Sequence, residues 1–201
     1  MKDYKKINQV VYDRFAEDFE QSTKDYLQEH LLNDAELFIK NLSGKRILDI
    51  GSGPGRDSLY FKQQDLQPVC IDLSPEMIRR CKEKGLDAYV MDIEQLNFKE
   101  SSFDGAWAYT SLLHLPKTKL PGILKEISRI LTDEGMFYLG MKEGSFEGFK
   151  EGRYPGYEYF FTKFTGKELK EILSSEFEVI HFSKVITGAA YLNYLCKVKK
   201  K

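Results

Sequence analysis

The chain is poor in the residues that would cross-link it or load it with metal. Its three cysteines, Cys70, Cys81 and Cys196, are far apart, odd in number and without C-x-x-C spacing, which argues against a disulfide framework or a zinc site. Its three histidines, His30, His114 and His181, have no ligand-type spacing, so no metal is expected. An excess of one charge is lacking as well: 30 basic residues face 31 acidic ones, for a net charge of -1. No global field therefore steers the chain to nucleic acid or an anionic membrane. The four lysines Lys197, Lys199, Lys200 and Lys201 read as a solvated chain end. Nowhere do the ~18 consecutive apolar residues of a membrane span occur, and residues 1–9 are charged, without the apolar stretch of a signal peptide. The expectation is a cytoplasmic protein that binds neither nucleic acid nor membrane, with monomer and dimer both open. No internal repeat or low-complexity linker divides the 201 residues, a size that suits one α/β domain.

What is present is organised around residues 45–58, KRILDIGSGPGRDS. Ile47, Leu48 and Ile50 form a short apolar run that ends in glycines, as a buried strand opening into a tight turn does. Gly51, Gly53 and Gly55 let the backbone pass close to a ligand, because no Cβ blocks the approach. The helix expected over residues 57–64 aims the partial positive charge of its N-terminus at that turn, and Arg56 could assist there or be solvated. A dinucleotide fingerprint needs a small residue where this chain has Arg56, and that disfavours NAD. The next strand, residues 68–71, ends at Asp72, 21 residues after Gly51. A carboxylate there can accept both hydroxyls of a ribose, or merely sit at the start of the helix that Ser74 and Pro75 open. Met77 on that helix can touch an adenine face or be core. A third strand over 88–91 ends at Asp92 and Ile93, and a fourth over 103–108 runs into Tyr109, Thr110, Ser111 and His114.

These segments resemble the class I S-adenosylmethionine-dependent methyltransferases. G-x-G-x-G with Asp49 two residues before the first glycine and Ser52 within it is similar to motif I; Tyr12-Asp13-Arg14-Phe15-Ala16-Glu17-Asp18-Phe19 resembles the YDxxAxxY segment folded over the cofactor, with Phe19 in place of the last tyrosine; and 103–115 resembles FDxVxxxxxLHHL with a single histidine. The turn 132–135 matches the family's L-K-P-G-G only loosely. The resemblance implies a Rossmann-like α/β fold, a mostly parallel seven-stranded sheet of order 3-2-1-4-5-7-6 with helices on both faces and a terminal β-hairpin. It implies S-adenosylmethionine as cofactor, with S-adenosylhomocysteine as product. Tyr12, Asp49, Gly51, Ser52, Gly53, Gly55, Asp72, Leu73, Met77, Asp92, Ile93 and Tyr109 would hold the cofactor, Asp92 accepting the adenine amine and Ile93 offering its backbone amide. Ser111 and His114 would border the methyl acceptor, with His114 a candidate base or only a pocket wall.

The layout expected is an N-terminal helical lid (1–43), a cofactor-binding core (44–143), an aromatic insertion (144–164), and a helix with the terminal hairpin (165–201). Ile7, Val10, Val11, Phe15 and Phe19 would give the first helix its apolar stripe, and a second helix would cover 26–41. The insertion is too aromatic for a solvated loop: it closes the acceptor pocket through Arg153, Tyr154 and Tyr157, or it is a hydrophobic cluster on the sheet edge. Lys150 or Arg153 would suit an anionic acceptor and the aromatic faces a planar or cationic one, and the sequence does not choose. The expected activity is methyl transfer to a small molecule. The alternatives are an NAD(P)-dependent reductase or a non-catalytic nucleoside-binding protein.

Overall fold

The computed structural model describes residues 2–199, so Met1, Lys200 and Lys201, including the end of the lysine tail, lie outside the described residues. Alternation of strand and helix builds the first half: β1 (Arg46–Ile50), α4 (Arg56–Gln63), β2 (Gln67–Asp72), α5 (Pro75–Glu83), β3 (Asp87–Val90), β4 (Phe103–Tyr109), α6 (Leu120–Ile130) and β5 (Leu131–Lys142). Before them come α1 (Tyr4–Arg14), α2 (Ala16–Thr23) and α3 (Leu32–Asn41). After them come β6 (Phe146–Glu151), β7 (Glu158–Lys163), α7 (Gly166–Leu173), β8 (Phe177–Thr187) and β9 (Ala189–Val198). The seven-stranded sheet runs β3-β2-β1-β4-β5-β9-β8. With the separate β6-β7 ribbon set aside, this is the expected order. β1 to β5 pair in parallel, whereas β9 is antiparallel to β5 and to β8. The strands of a parallel sheet are covered on both faces, so β1 and β4 read as near-continuous apolar runs. Among the described residues no helix is long and apolar enough to cross a membrane.

Four elements depart from the sequence reading. The first helix breaks at Phe15 (φ -110°) into α1 and α2, and its buried stripe is not the predicted one. Val10 is 48% exposed while Asn8 is buried, because the face turns toward the β6-β7 ribbon. The second helix begins as a π-helical turn, Leu27–Leu31, before α3. The turn expected over 132–135 lies inside β5, where the pairing with β4 jumps from Leu131 to Met136 as a bulge. The aromatic insertion is a regular hairpin, Phe146 pairing with Lys163 and Glu151 with Glu158, which satisfies backbone groups that a loop would have left to water.

One face of the sheet is sealed by α3. Phe38 meets Trp107 edge-on at 5.3 Å, and Trp107 stacks on Tyr138 at 3.8 Å. Beside them Asp34 Oδ2 accepts hydrogen bonds from the Tyr138 hydroxyl (2.7 Å), Ser183 Oγ (2.6 Å) and Asn193 Nδ2 (3.2 Å), tying α3 to β5, β8 and β9. Residues 1–43 are thus not all lid: α3 is core. Asp34→Ala leaves buried donors without an acceptor and should cost about 3 kcal/mol. Asp34→Asn, whose amide oxygen still accepts, should cost less; urea titration of the two variants checks the order.

Candidate active site

The glycine turn after β1 is spliced to the end of β2. Gly51 and Ser52 donate their N–H groups to the Ile71 carbonyl (2.8 and 3.0 Å), and Gly53 N–H reaches Asp72 Oδ2 at 3.0 Å. Gly53, at φ +53°, faces open space: an added Cβ would meet only the Phe19 ring at 3.5 Å. Gly51 is required for packing, since a Cβ there would lie 2.3 Å from Ser111 Cβ. Gly55 is a correction to the predicted set. A Cβ on it would strike Leu86 at 2.6 Å and the Cys81 sulfur at 3.0 Å, so it serves the packing of α5 and does not line the cavity.

That cavity, about 780 Å³, lies outside the carboxyl ends of β1 to β5, where open α/β sheets bind ligands. Carboxylates line its β1-β3 end. Asp49 is buried and accepts Ser58 Oγ at 2.7 Å, and burial drives its pKa upward. Asp57 is gripped by its neighbour Arg56 (2.6 and 3.0 Å) and by Trp107 Nε1 (2.9 Å), so Arg56 is a paired residue of the cavity wall and not a solvated one. Asp72 uses one lone pair of each oxygen on backbone N–H groups, Gly53 and Ser74 (2.8 Å). Desolvation raises its pKa to about 6 despite those bonds. Asp92 meets Lys5 Nζ at 2.7 Å, and Lys5 also pairs with Glu94 at 2.8 Å. Leu73, Met77 and Ile93 complete this end; Met77, 1% exposed, is both core and cavity wall.

α1 roofs the cavity, and it is fastened at several points. Asp13 accepts Ser74 Oγ (2.5 Å) and the Glu76 N–H (3.3 Å) at the start of α5. Asn8 exchanges two hydrogen bonds with the Phe160 backbone of β7, donating to its carbonyl at 2.9 Å and accepting from its N–H at 2.8 Å. His114 lies between these elements. Its Nδ1 lies 3.0 Å from the Phe160 carbonyl, an acceptor, and 3.1 Å from Asn8 Nδ2, a donor, so either tautomer finds a partner there, and Nε2 pairs with the Tyr12 hydroxyl at 2.8 Å. Burial holds this imidazole near a pKa of about 4, below its ordinary 6.5.

At the β4-β5 end the walls are Tyr109, Ser111, Lys142, Tyr159, Lys163 and Tyr191. Tyr109 bonds Tyr26 hydroxyl to hydroxyl at 2.8 Å. Ser111 Oγ and the Tyr159 hydroxyl are buried without a hydrogen-bond partner. Thr110, between Tyr109 and Ser111, is held at φ +56°, an uncommon conformation for a β-branched residue that no sequence signal announces. Arg153 reaches the cavity, its guanidinium 5.4 Å from the Phe19 ring. Tyr154 and Tyr157 do not line it, contrary to the sequence reading. Tyr154 stacks on Phe15 at 4.0 Å and Tyr157 meets the same ring edge-on, which locks the hairpin to the α1-α2 break. Sequence reasoning missed Lys5, Asn8, Tyr26 and Tyr191, of which only Asn8, a polar residue inside an apolar stripe, carried a local signal; Tyr159 belongs to the aromatic insertion expected to close the pocket.

Carboxylates at successive strand ends around a bare glycine turn form the acidic end of the cavity in this α/β domain. Residues 47–135 match a family profile described as "Methyltransferase domain". An uncharacterized methyltransferase of Schizosaccharomyces pombe is 33% identical over 128 residues, 58% of this chain and 49% of that one. A ubiquinone biosynthesis O-methyltransferase of Xanthomonas oryzae is 30% identical over 106 residues, 49% of this chain and 44% of that one. The chain thus spans about half the length of the curated relatives it matches. Among solved structures, the 1,6-didemethyltoxoflavin-N1-methyltransferase of Burkholderia thailandensis, with 1,6-didemethyltoxoflavin and S-adenosylhomocysteine bound, superposes with TM-score 0.73 over 100% of this chain and 92% of its own. At 22% identity that likeness shows the fold. Residues 47–135 thus match a methyltransferase domain, and none of these matches supports a reductase.

Ribose hydroxyls donated to Asp72 would favour its charged form, so a nucleoside held there would lower a pKa of about 6. S-adenosylhomocysteine affinity should therefore be full above pH 6 and weaken as pH falls below it. Asp72→Ala should cost roughly 1.5–3 kcal/mol of binding and flatten that dependence; calorimetric titrations between pH 5 and 8 test both.

Proposed function

We propose that this chain is an S-adenosylmethionine-dependent methyltransferase that acts on a small molecule by in-line methyl transfer. The observation that carries the reading is one cavity whose β1-β3 end has the carboxylates a nucleoside needs and whose β4-β5 end is an aromatic chamber under a fastened roof. The relatives support it: the named ones include a ubiquinone biosynthesis O-methyltransferase and a structure with 1,6-didemethyltoxoflavin bound. The residues fit the cofactor. Gly53 leaves a surface no Cβ fills, Asp72 keeps acceptor capacity beyond its backbone bonds, and Ser111 Oγ lacks a partner. When bound, S-adenosylmethionine supplies the activated methyl group.

The protein's part is then to bind, align and exclude water. Asp72 would hold the ribose, and Asp92 with the Ile93 amide the adenine, Lys5 fixing the Asp92 carboxylate from α1. Asp49 and the glycine turn would face the methionine end. Tyr12 and Phe19, edge to face at 5.6 Å, close the cavity from above. His114 has both ring nitrogens engaged, so an acceptor proton could reach Nε2 only by way of the Tyr12 hydroxyl, and a pKa of about 4 makes it a weak base. Its main work in this reading is to join α1, the turn after β4 and β7.

Incubation with methyl-labelled S-adenosylmethionine, below saturation, and a small-molecule metabolite extract should give a labelled product whose yield falls about ten-fold or more with Asp72→Ala; no label transfer to any fraction would count against catalysis. The His114 joint has its own signature. Because its folded pKa lies below 6.5, its stabilisation is complete above pH 6.5 and is lost as pH falls toward 4. Asp49 and Asp72, whose pKa values are raised, take up protons in the folded state over the same window and oppose this loss, so the check is a difference: the melting-temperature advantage of the parent over His114→Asn should shrink between pH 6.5 and 4.

A further inference from the structure

The two ends of the cavity differ in charge. Asp49, Asp57, Asp72 and Asp92 stand at the β1-β3 end. The walls contributed by β5 and the β6-β7 ribbon instead bring Lys142, Lys163 and Arg153 to one place. Among the described residues none of these three has a carboxylate within 4.0 Å. Of the acidic groups near them, Glu143 pairs with Lys184 at 2.5 Å, and Glu151, which lines the cavity together with Lys150, accepts the Gly156 N–H at 2.9 Å, so that one carboxylate stands against four cations. Lys142 is half-buried at the carboxyl end of β5, its Nζ 5.8 Å from the centre of the Tyr191 ring. Its ammonium is disfavoured by burial and by the Lys163 and Arg153 charges, as uncompensated cations facing a common space must be. The Tyr159 hydroxyl, buried with no partner, adds a neutral donor near Arg153.

Like charges gathered without counter-ions repel one another, and a fold that holds them together gains most from an anion that enters between them. We infer that the methyl acceptor is an anionic, planar small molecule whose carboxylate or phosphate is received by Lys142, Lys163 and Arg153, with its ring between Tyr109, Tyr159 and Tyr191. The cationic acceptor left open by the sequence is disfavoured by the same three residues. This inference rests on the proposed methyltransferase reading and deepens it.

The test uses the full chain saturated with S-adenosylhomocysteine and four probes of one shape: 2-naphthoate, 2-naphthyl phosphate, 2-naphthamide and 2-naphthylmethylamine. At least one anion should bind ten-fold or more tightly than the amide and the amine, and the ranking of the two anions tells carboxylate from phosphate. Lys142→Gln/Lys163→Gln should weaken the preferred anion about ten-fold and leave S-adenosylhomocysteine affinity within three-fold. That last measurement also reports whether the variant has folded, and Arg153→Gln alone, at a more exposed position, serves if the double variant has not. Anions that bind no better than the amide, including no binding by any probe, overturn the inference, as does an anion preference that survives the substitutions. Loss of S-adenosylhomocysteine binding by the parent protein would instead strike the methyltransferase reading itself.

Discussion

The carboxylate of Asp72 is the point at which the parallel sheet becomes a binding site. It takes one N–H from the glycine turn and one from the start of α5, and the Ile71 carbonyl before it takes two more from the same turn. Two strand ends and two helix starts are thereby fixed around one bare stretch of backbone. The cost is a carboxylate held near a pKa of about 6 by burial. A group held in that way gains more from added hydroxyl donors than a solvated one does, and this is what would link the fold to a ribose in the proposed reading.

The roof depends on the same residues through Asp13, which reaches down to Ser74 beside Asp72. From there α1 runs across the cavity to the β6-β7 ribbon, where Asn8 pairs with Phe160 as a third strand would. The ribbon is locked by Tyr154 and Tyr157 on Phe15, the residue at which the helix breaks. Roof and ribbon are therefore one body over the acceptor end, and the ribbon's cations enter the chamber only because that body holds them there.

The sheet order and the acidic end of the cavity were legible in the sequence because their requirements are local. Gly51 and Gly53 need positive φ, and Asp72 and Asp92 need only the end of an apolar run, so spacing along the chain finds them. The family profile covers that same stretch, residues 47–135. The acceptor end was not legible in the same degree. Lys142, Lys163, Tyr159 and Tyr191 meet there through strand pairings that join β5 to β9 and β6 to β7, and periodicity carries no trace of such partners. Gly55 was misplaced for a related reason: its positive φ was correctly suspected, but the neighbour that demands it is Leu86 and not a ligand. Tyr154 and Tyr157 had the composition of a pocket wall and the role of a clamp.

The central claim is that the glycine turn and Asp72 receive S-adenosylmethionine and not a nicotinamide dinucleotide. Its most direct test is the melting temperature of the protein with millimolar S-adenosylhomocysteine and, separately, with millimolar NADH, since a ligand that binds only the native state raises it by linkage. A clear rise with S-adenosylhomocysteine and none with NADH is the predicted result; no rise with S-adenosylhomocysteine, or a larger one with NADH, would contradict it.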